Sequence, residues 1–287
     1  MTPDDFALLA GILKERSGLS IGPEKIYLLE SRLNPVARKN NLAGLDELVA
    51  QVRLKRPGSL LSDITEAMTT NESFFFRDSK PFETFQHGIL PKLLEDRAAK
   101  KSLRIWSAAC STGQEAYSLA MILREMAPKL AGWRMEIVGT DISQEVLEKA
   151  KVGIYSQFEV QRGLPVKLLI KYFTQVNDLW QIDSSIRAMV SYKEFNLLKD
   201  MKSLGSFDII FCRNVLIYFD QPTKTKVLAA MSGILAKDGC LFMGAAETVL
   251  GISDVFKAVP NHRGVYEKNS DVAAMPRLQQ AQQAATG

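Results

Sequence analysis

Residues 103–115 of the chain read Leu-Arg-Ile-Trp-Ser-Ala-Ala-Cys-Ser-Thr-Gly-Gln-Glu, and this stretch decides the fold. Its first half is an apolar run that predicts a buried strand, and its second half is a turn of small residues. The turn leads directly into a predicted helix from Gln114 to Met126, whose apolar residues recur on one face. A strand joined to a helix by a tight turn is the unit from which parallel α/β sheets are built.

The same unit recurs along the chain between residues 101 and 269. Amphipathic helices separate four further predicted strands: Arg134 to Thr140, Val190 to Phe195, Phe207 to Cys212 and Cys240 to Ala245. This alternation predicts an open α/β sheet, wound mostly parallel. Between residues 164 and 193 the pattern is less regular. There we expect a small inserted antiparallel β-subdomain, in which Tyr172 to Ile182 and Ile186 to Val190 form a hairpin.

Residues 1–76 carry a different pattern, which predicts an all-helical bundle. Thr2 and Pro3 are typical of a helix start, and Gly18 is expected to end this first helix. Three more helices are predicted from apolar residues at spacings of three and four. We expect a linker helix over residues 77–100, the sheet domain over residues 101–269 and a disordered tail over residues 270–287.

The composition is typical of a globular protein, since 46% of the 287 residues are hydrophobic and 24% are charged. A chain of this length usually divides into two domains. The longest apolar stretch, Val227 to Ala236, has ten residues, whereas a membrane span needs roughly 20. Asp4 and Asp5 stand where a signal peptide would be basic, so we expect a cytoplasmic protein without membrane insertion.

Charge, cysteine and histidine content narrow the class of function. The net charge of +4 permits an acidic partner but does not demand nucleic acid. The three cysteines lie in apolar runs, so we expect buried reduced thiols and neither disulfides nor metal ligands. The chain has only two histidines, which disfavours a histidine-dependent hydrolase and a histidine-rich metal site. We therefore predict no metal.

Ligands of such sheets bind at the carboxyl ends of the strands, so the residues that follow each strand are candidate ligand contacts. The turn at residues 108–115 lets a ligand approach the backbone, although it is equally an ordinary strand-to-helix turn. Asp141 follows the second strand, where a carboxylate can hold ribose hydroxyls or else cap the next helix. Asn196 follows a third strand, and its amide suits a nucleobase edge, but its position alone favours a plain turn.

Two further segments combine polar and aromatic side chains. Residues 207–220 form a predicted buried strand that ends in Arg213 and Asn214, with Tyr218 close behind. An arginine fork with a phenol can orient a carboxylate, while Tyr218 is alternatively a core aromatic. Residues 69–78 read Thr-Thr-Asn-Glu-Ser-Phe-Phe-Phe-Arg-Asp. They either dock the bundle on the sheet or close over a ligand.

Taken in order, these segments resemble the CheR family of chemoreceptor methyltransferases, over roughly residues 1–268. The resemblance rests on residues 69–78, 108–115, 140–143 (Thr-Asp-Ile-Ser) and 211–220 (Phe-Cys-Arg-Asn-Val-Leu-Ile-Tyr-Phe-Asp). It implies an α/β protein with a Rossmann-like class I methyltransferase sheet behind the helical bundle. It also implies S-adenosylmethionine as cofactor and chemoreceptor glutamates as substrates, which are methylated to esters in chemotaxis adaptation.

The same resemblance implies a set of cofactor contacts: Asn71, Ser73, Arg77, Glu115, Asp141, Asn196, Leu197, Arg213 and Asn214. The first three would contact the methionine part and the lid of the cofactor, and Glu115 would lie near its amino group. Asp141 would hold the ribose, while Asn196 and the backbone of Leu197 would read the adenine. The last two would line the site near the cofactor, with Tyr218 close to the transferred methyl group.

Methyl transfer to a carboxylate needs no general base, because an unperturbed glutamate has a pKa of about 4.3 and is ionised at pH 7. Catalysis can then rest on positioning and on exclusion of water, in agreement with the scarcity of histidine. We expect Arg213 and Tyr218 to orient the substrate carboxylate.

The second helix is basic, and we expect four of its side chains to recognise acidic helices of the receptor: Lys25, Arg32, Arg38 and Lys39. A solvated helix face is the alternative. Some family members also grip a receptor tail peptide with the inserted hairpin, whose turn carries a Gly-containing extension. Here residues 175–180 form a short connection without Gly, so we expect a member that does not depend on that tether.

Two other classes of function are alternatives. A nucleic-acid methyltransferase shares this sheet, but residues 213–216 replace the Asn-Pro-Pro-Tyr-like loop that is usual in the amino-methylating enzymes. The charges are also too evenly mixed to indicate a basic groove. A non-catalytic cofactor-binding signalling module is the other alternative, which the presence of every implied contact residue disfavours.

Overall fold

The computed structural model describes residues 1–54 and 58–270. Its N-terminal part is a bundle of four helices: α1 Pro3–Ser17, α2 Ile26–Lys39, α3 Leu45–Arg53 and α4 Leu60–Met68. Thr2 caps α1 through a capping box with Asp5, and Gly18 ends it in the left-handed conformation at φ 80°. Buried side chains such as Leu13, Leu33 and Ile64 fill the centre of the bundle.

A nearly continuous helical stretch joins the bundle to the sheet. It consists of α5 Lys80–Thr84, a π-helical turn Phe85–Ile89 and α6 Leu90–Asp96. Phe85 packs edge-on against Phe211 and Phe242 of the sheet, at centroid distances of 5.9 and 6.4 Å. These aromatic contacts fasten the stretch to one face of the sheet.

Ten strands and six more α-helices follow in the rest of the described chain, together with short 3₁₀ turns and loops. The strands are β1 Ser102–Ala108, β2 Arg134–Asp141, β3 Ile154–Ser156, β4 Phe173–Val176, β5 Leu179–Ile182, β6 Val190–Glu194, β7 Phe207–Cys212, β8 Leu235–Met243, β9 Phe256–Ala258 and β10 Val265–Lys268. The helices are α7 Gln114–Glu125, α8 Gln144–Val152, α9 Gln157–Gln161, α10 Val166–Tyr172, α11 Ser184–Arg187 and α12 Gln221–Ile234.

Seven strands form the main sheet in the order β6-β2-β1-β7-β8-β10-β9. The first five of these run parallel, as the sequence predicts, while β10 is antiparallel to both β8 and β9. The chain moves outward from β1 to β2 and β6, and later returns to the other side of β1 with β7. The strand order therefore reverses beside β1, and ligands of open α/β sheets bind at such a point.

The inserted subdomain is a three-stranded antiparallel sheet in the order β3-β5-β4. The hairpin is formed entirely within residues 172–182, and the prediction that Ile186 to Val190 belongs to it is wrong. Those residues form the end of α11 and the start of β6, because Val190 pairs with Ile137 of the main sheet. The third strand of the subdomain is β3, which lies before residue 164.

Two hydrophobic clusters cover the two faces of the sheet, one around Phe211 and Phe242 and the other around Trp106 and Ile210. All three cysteines are buried and unpaired. Burial raises the pKa of each thiol, that of Cys240 to about 11. No helix in the described part of the chain is long and apolar enough to cross a membrane. The predicted disordered tail, apart from residue 270, lies outside the described residues.

Candidate active site

A cavity lies at the carboxyl ends of β1, β2 and β7, between the sheet and the helical bundle. Its walls enclose about 1010 Å³, including the part that is continuous with solvent. The walls come from Ser17, Leu19, residues 68–74 and Arg77 of the N-terminal half and from residues 109–111, 115, 141–142, 195–197, 213–215 and 218–219 of the sheet domain. All nine implied cofactor contacts and Tyr218 line this cavity.

Asp141 is the last residue of β2 and lies almost completely buried in the cavity wall. One carboxylate oxygen accepts the N–H of Ser111 at 2.8 Å, and the other accepts that of Ser143 at 3.0 Å. Burial raises the pKa of this carboxyl, although bonds from backbone N–H groups act in the opposite direction. Because a carboxylate oxygen accepts about two hydrogen bonds, each oxygen retains capacity for a ligand hydroxyl.

Glu115 and Arg213 form a buried ion pair across the sheet end, with Nη1 of Arg213 3.0 Å from Oε2 of Glu115. Nη2 of the same guanidinium is 2.8 Å from the carboxylate of Asp78 and from the carbonyl oxygen of Arg77. The second oxygen of Glu115 accepts the hydroxyl of Ser107 at 2.8 Å.

The contact of Arg213 with a substrate carboxylate stays a prediction, and the structure shows which partners the guanidinium has within the protein. Only 1% of its side chain is exposed, and both terminal nitrogens are bonded within the protein. Nε is the one nitrogen of this guanidinium without a partner among the described residues. The guanidinium fork holds Glu115 and Asp78, and it joins the linker to the sheet.

Residues 69–78, here called the linker segment, lie across the front of the cavity. The carbonyl oxygen of Asn71 accepts the hydroxyl of Ser111 at 2.8 Å, so the segment is tied to the turn after β1. Arg77 donates to the carbonyl of Glu72 at 2.8 Å and stands over the ring of Phe74. Both Arg77 and Ser73 line the cavity.

Asn196 and Leu197 follow β6 on the adenine side of the implied site. The Asn196 amide donates to the carbonyl of Arg16 in α1 and accepts the N–H of Leu198 at 2.9 Å. This amide therefore also joins the two domains, and its contact with a base edge stays a prediction. Leu197 lines the cavity, and its backbone N–H meets no acceptor among the described residues.

Residues 213–220, here called the tyrosine loop, connect β7 to α12 and carry Tyr218 into the cavity wall. Tyr218 is half-buried, and its hydroxyl finds no partner in the described part of the chain. Its carbonyl oxygen accepts the N–H of Ser20 at 2.9 Å, and Leu19 forms a β-bridge with Phe219. The bundle therefore contacts the backbone of this loop directly.

Glu247 is a residue at this site that the sequence analysis missed. Its carboxylate accepts five backbone N–H groups, four of them from the tyrosine loop and one from the end of β8: Asn214, Val215, Leu216, Ile217 and Gly244. Glu247 does not line the cavity. A glutamate shortly after a glycine at the end of a strand is the only signal that the sequence offers for it.

The four predicted receptor-binding side chains are not equivalent. Lys25 and Arg38 are exposed, and Lys39 is exposed but paired with Asp63 at 2.9 Å. Arg32 instead bonds the carbonyls of Met68 and Thr69 at 3.0 Å. Its guanidinium joins the end of α4 to the start of the linker segment, and its predicted contact with the receptor stays a prediction.

Two further contacts join the bundle to the sheet domain. The Glu66 carboxylate accepts the hydroxyl of Ser143 at 2.5 Å, and Lys14 lies 2.6 Å from Asp220. The Lys14 ammonium beside Asp220 is the main cause that lowers the pKa of that carboxyl. The bundle is thus held at both ends of the cavity.

Two family models match the chain. The CheR methyltransferase all-alpha domain matches residues 4–69, and the CheR methyltransferase SAM binding domain matches residues 71–265. The "Chemotaxis protein methyltransferase 1" of Pseudomonas aeruginosa is 39% identical over 91% of this chain and 96% of its own length. The "Chemotaxis protein methyltransferase Cher2" of Pseudomonas putida is 37% identical over the same shares. The "Chemotaxis protein methyltransferase 1" of Vibrio cholerae is 38% identical over 89% of this chain and 93% of its own.

Proposed function

The chain belongs to the CheR methyltransferase family and uses S-adenosylmethionine, and on that premise we propose that it methylates glutamate side chains of chemoreceptors. The products are glutamate methyl esters and S-adenosylhomocysteine. The observation that carries the proposal is the cavity at the strand-order reversal, where buried acceptors and free polar groups converge.

The polar groups of the cavity fit this cofactor. Asp141 offers two oxygens with remaining acceptor capacity at the carboxyl end of β2, where a ribose would be held. Glu115 offers a carboxylate that suits an ammonium group, and the backbone N–H of Leu197 suits an acceptor on a purine. We propose that these groups, with Asn71 and Ser73, hold S-adenosylmethionine.

When bound, the cofactor supplies a methyl group activated by a positively charged sulfonium. The protein then has to bring an already ionised glutamate carboxylate into line and to exclude water. We propose that the Tyr218 hydroxyl donates a hydrogen bond to this carboxylate. Arg213 acts as a positioning residue, which keeps Glu115 and the linker segment in place.

The receptor surface is proposed to consist of Lys25, which directly precedes α2, and of Arg38 on α2, with Lys39 as a partly neutralised neighbour. Acidic helices of a receptor would be attracted to these exposed charges. Arg38→Glu should lower receptor methylation but leave the affinity for S-adenosylhomocysteine unchanged. Lys237→Glu is the matched control, because this exposed lysine lies in the first half of β8, away from the strand ends that face the cavity.

We also propose that methylation does not depend on a receptor tail peptide. The support is the β4–β5 connection, which consists of Asn177 and Asp178 alone and carries no extension. A pulldown with receptor tail peptides tests this point. Specific retention of the protein by a tail peptide would contradict it.

The proposed reaction is tested by transfer of labelled methyl from S-adenosylmethionine to a purified receptor cytoplasmic domain, followed by mild alkali. Label released as methanol supports carboxyl methylation. Label that resists alkali would indicate N-methylation and would refute the proposed substrate group. Tyr218→Phe is expected to lower the turnover number without weakening S-adenosylhomocysteine binding.

A further inference from the structure

We propose that Glu247 is a positioning residue of the methyl transfer, which acts by fixing the backbone of the tyrosine loop. The inference rests on the proposed function, because it concerns the placement of Tyr218. Oε1 of Glu247 accepts the N–H groups of Val215, Leu216 and Ile217 at 3.1, 2.8 and 3.3 Å. Oε2 accepts those of Asn214 and Gly244 at 2.7 and 2.8 Å.

The tyrosine loop needs such an acceptor because of its own backbone. Asn214 has a positive φ of 59°, which is uncommon for a residue other than glycine. The 3₁₀ turn Leu216–Tyr218 that follows has no side-chain cap, so the N–H groups at its start lack partners within the turn. Glu247 supplies these partners from the neighbouring strand end. Hydrogen bonds to an ionised acceptor are stronger than neutral ones, and a carboxylate donates nothing in return.

The backbone beside Glu247 is adapted to its carboxylate. A Cβ atom on Gly244 would lie 2.6 Å from Oε2 of Glu247 and 3.0 Å from the nitrogen of Asn214. Only glycine therefore leaves room for the carboxylate between β8 and the loop. Since β7 and β8 are neighbours in the sheet, the two strand ends form the site of this contact together.

The other side of the loop is held by the bundle, through the bond from Ser20 to the carbonyl of Tyr218. Tyr218 thus stands between two anchors, Glu247 before it and residues 19–20 after it. Glu247 does not reach the cavity, so its influence on the reaction passes through the loop backbone.

Glu247→Gln tests the proposal. Whichever way the new amide points, its NH₂ group faces backbone donors, so we expect the amides of residues 214–217 to exchange hydrogen at least about tenfold faster. Glu267→Gln is the matched control, because Glu267 lies on β10 in a half-exposed pair with Lys257. We expect the parental exchange rates and turnover number for the control.

A double-mutant cycle separates positioning from a general loss of stability. We expect Glu247→Gln to lower the turnover number at least about tenfold. In the Glu247→Gln background, adding Tyr218→Phe should lower the turnover number by less than about twofold more. If Tyr218→Phe costs the same factor in both backgrounds, Glu247 does not act through Tyr218 and the proposal is overturned.

Gly244→Ala is the second variant, because it displaces the carboxylate without removing it, and the glycine is not at a positive φ. We expect faster exchange in residues 214–217 and the same masking of Tyr218→Phe. Unchanged exchange in both variants would overturn the proposal. The exchange rates are measured without a methyl acceptor, so they test the Glu247 assignment separately from the proposed reaction. A failure of the proposed reaction would instead be seen as absent methanol release with the unmodified protein.

Discussion

Replacement of Arg213 by methionine should lower the stability of the protein and also weaken its binding of S-adenosylhomocysteine. The variant keeps an unbranched apolar stem, although a shorter one, and removes a guanidinium that is 1% exposed and bonded to two carboxylates. The Glu115 side chain, 13% exposed, would remain buried without its cation, and loss of one partner of a buried pair costs about 3–5 kcal/mol. Asp78 is 38% exposed, so solvent screening leaves its share below about 1 kcal/mol.

Because Glu115 keeps the hydroxyl of Ser107, we take the lower end and expect a loss of about 3 kcal/mol in the free energy of unfolding. For a unit of about 200 residues this corresponds to a fall in Tm of about 6–12 °C. Denaturant unfolding followed by tryptophan fluorescence measures the change, and calorimetric titration with S-adenosylhomocysteine should show weaker binding. The control is Lys257→Met, which breaks an exposed pair and should cost less than about 0.5 kcal/mol.

A different outcome would refute this reasoning. If Arg213→Met unfolds like the parent and binds S-adenosylhomocysteine normally, but has a much lower turnover number, then Arg213 acts on the substrate and not on the site. Such a result would restore the role that the sequence analysis predicted.

Three other predictions follow from the site. Asp141→Asn should weaken S-adenosylhomocysteine binding at least about tenfold in calorimetry, because a ligand hydroxyl loses a charged acceptor. In the parent, S-adenosylhomocysteine binding should weaken as the pH falls through the raised pKa of Asp141. The contribution of this group to the free energy of unfolding behaves in the opposite way. It is present below pH 3.8 and is lost as the pH rises through the raised pKa. Gly163→Ala should lower the free energy of unfolding by about 1–3 kcal/mol, because its Cβ would lie 2.1 Å from the carbonyl oxygen of Phe75 at a φ of 85°; unchanged denaturation would contradict this. Arg32→Met should weaken both cofactor binding and receptor methylation, whereas Arg38→Glu should lower receptor methylation alone. Equal effects of the two variants on cofactor affinity would show that Arg32 does not hold the linker segment.

Much of the sheet could be predicted because its strands are long apolar runs with clear ends. The strand at Phe207–Cys212 has the predicted bounds, and the helix after β1 ends within one residue of its prediction. The short strand Ile154–Ser156 could not be found, since three residues show no periodicity and its pairing partner lies in the hairpin. The prediction of a hairpin strand over Ile186 to Val190 is wrong because the strand that pairs with Val190 lies around Ile137, about 50 residues away in the sequence.

The residues that line the cavity agree with the sequence analysis. The hydrogen bonds and ion pairs that these residues form could not be predicted from the sequence. The sequence places Arg213 and Asn196 each after a predicted strand, and both residues line the cavity. Which groups they meet depends on the linker segment and on α1, both far off in sequence. Glu247 contacts a loop about 30 residues away, and no local pattern marks a side chain whose only partners are backbone N–H groups.

The most direct test of the proposed function is mass spectrometry of receptor peptides after incubation with the protein and S-adenosylmethionine. We predict a mass increase of one methyl group on a glutamate side chain, absent without cofactor and removed by mild alkali. A methyl group located on a lysine or on another nitrogen, and stable to alkali, would contradict the account.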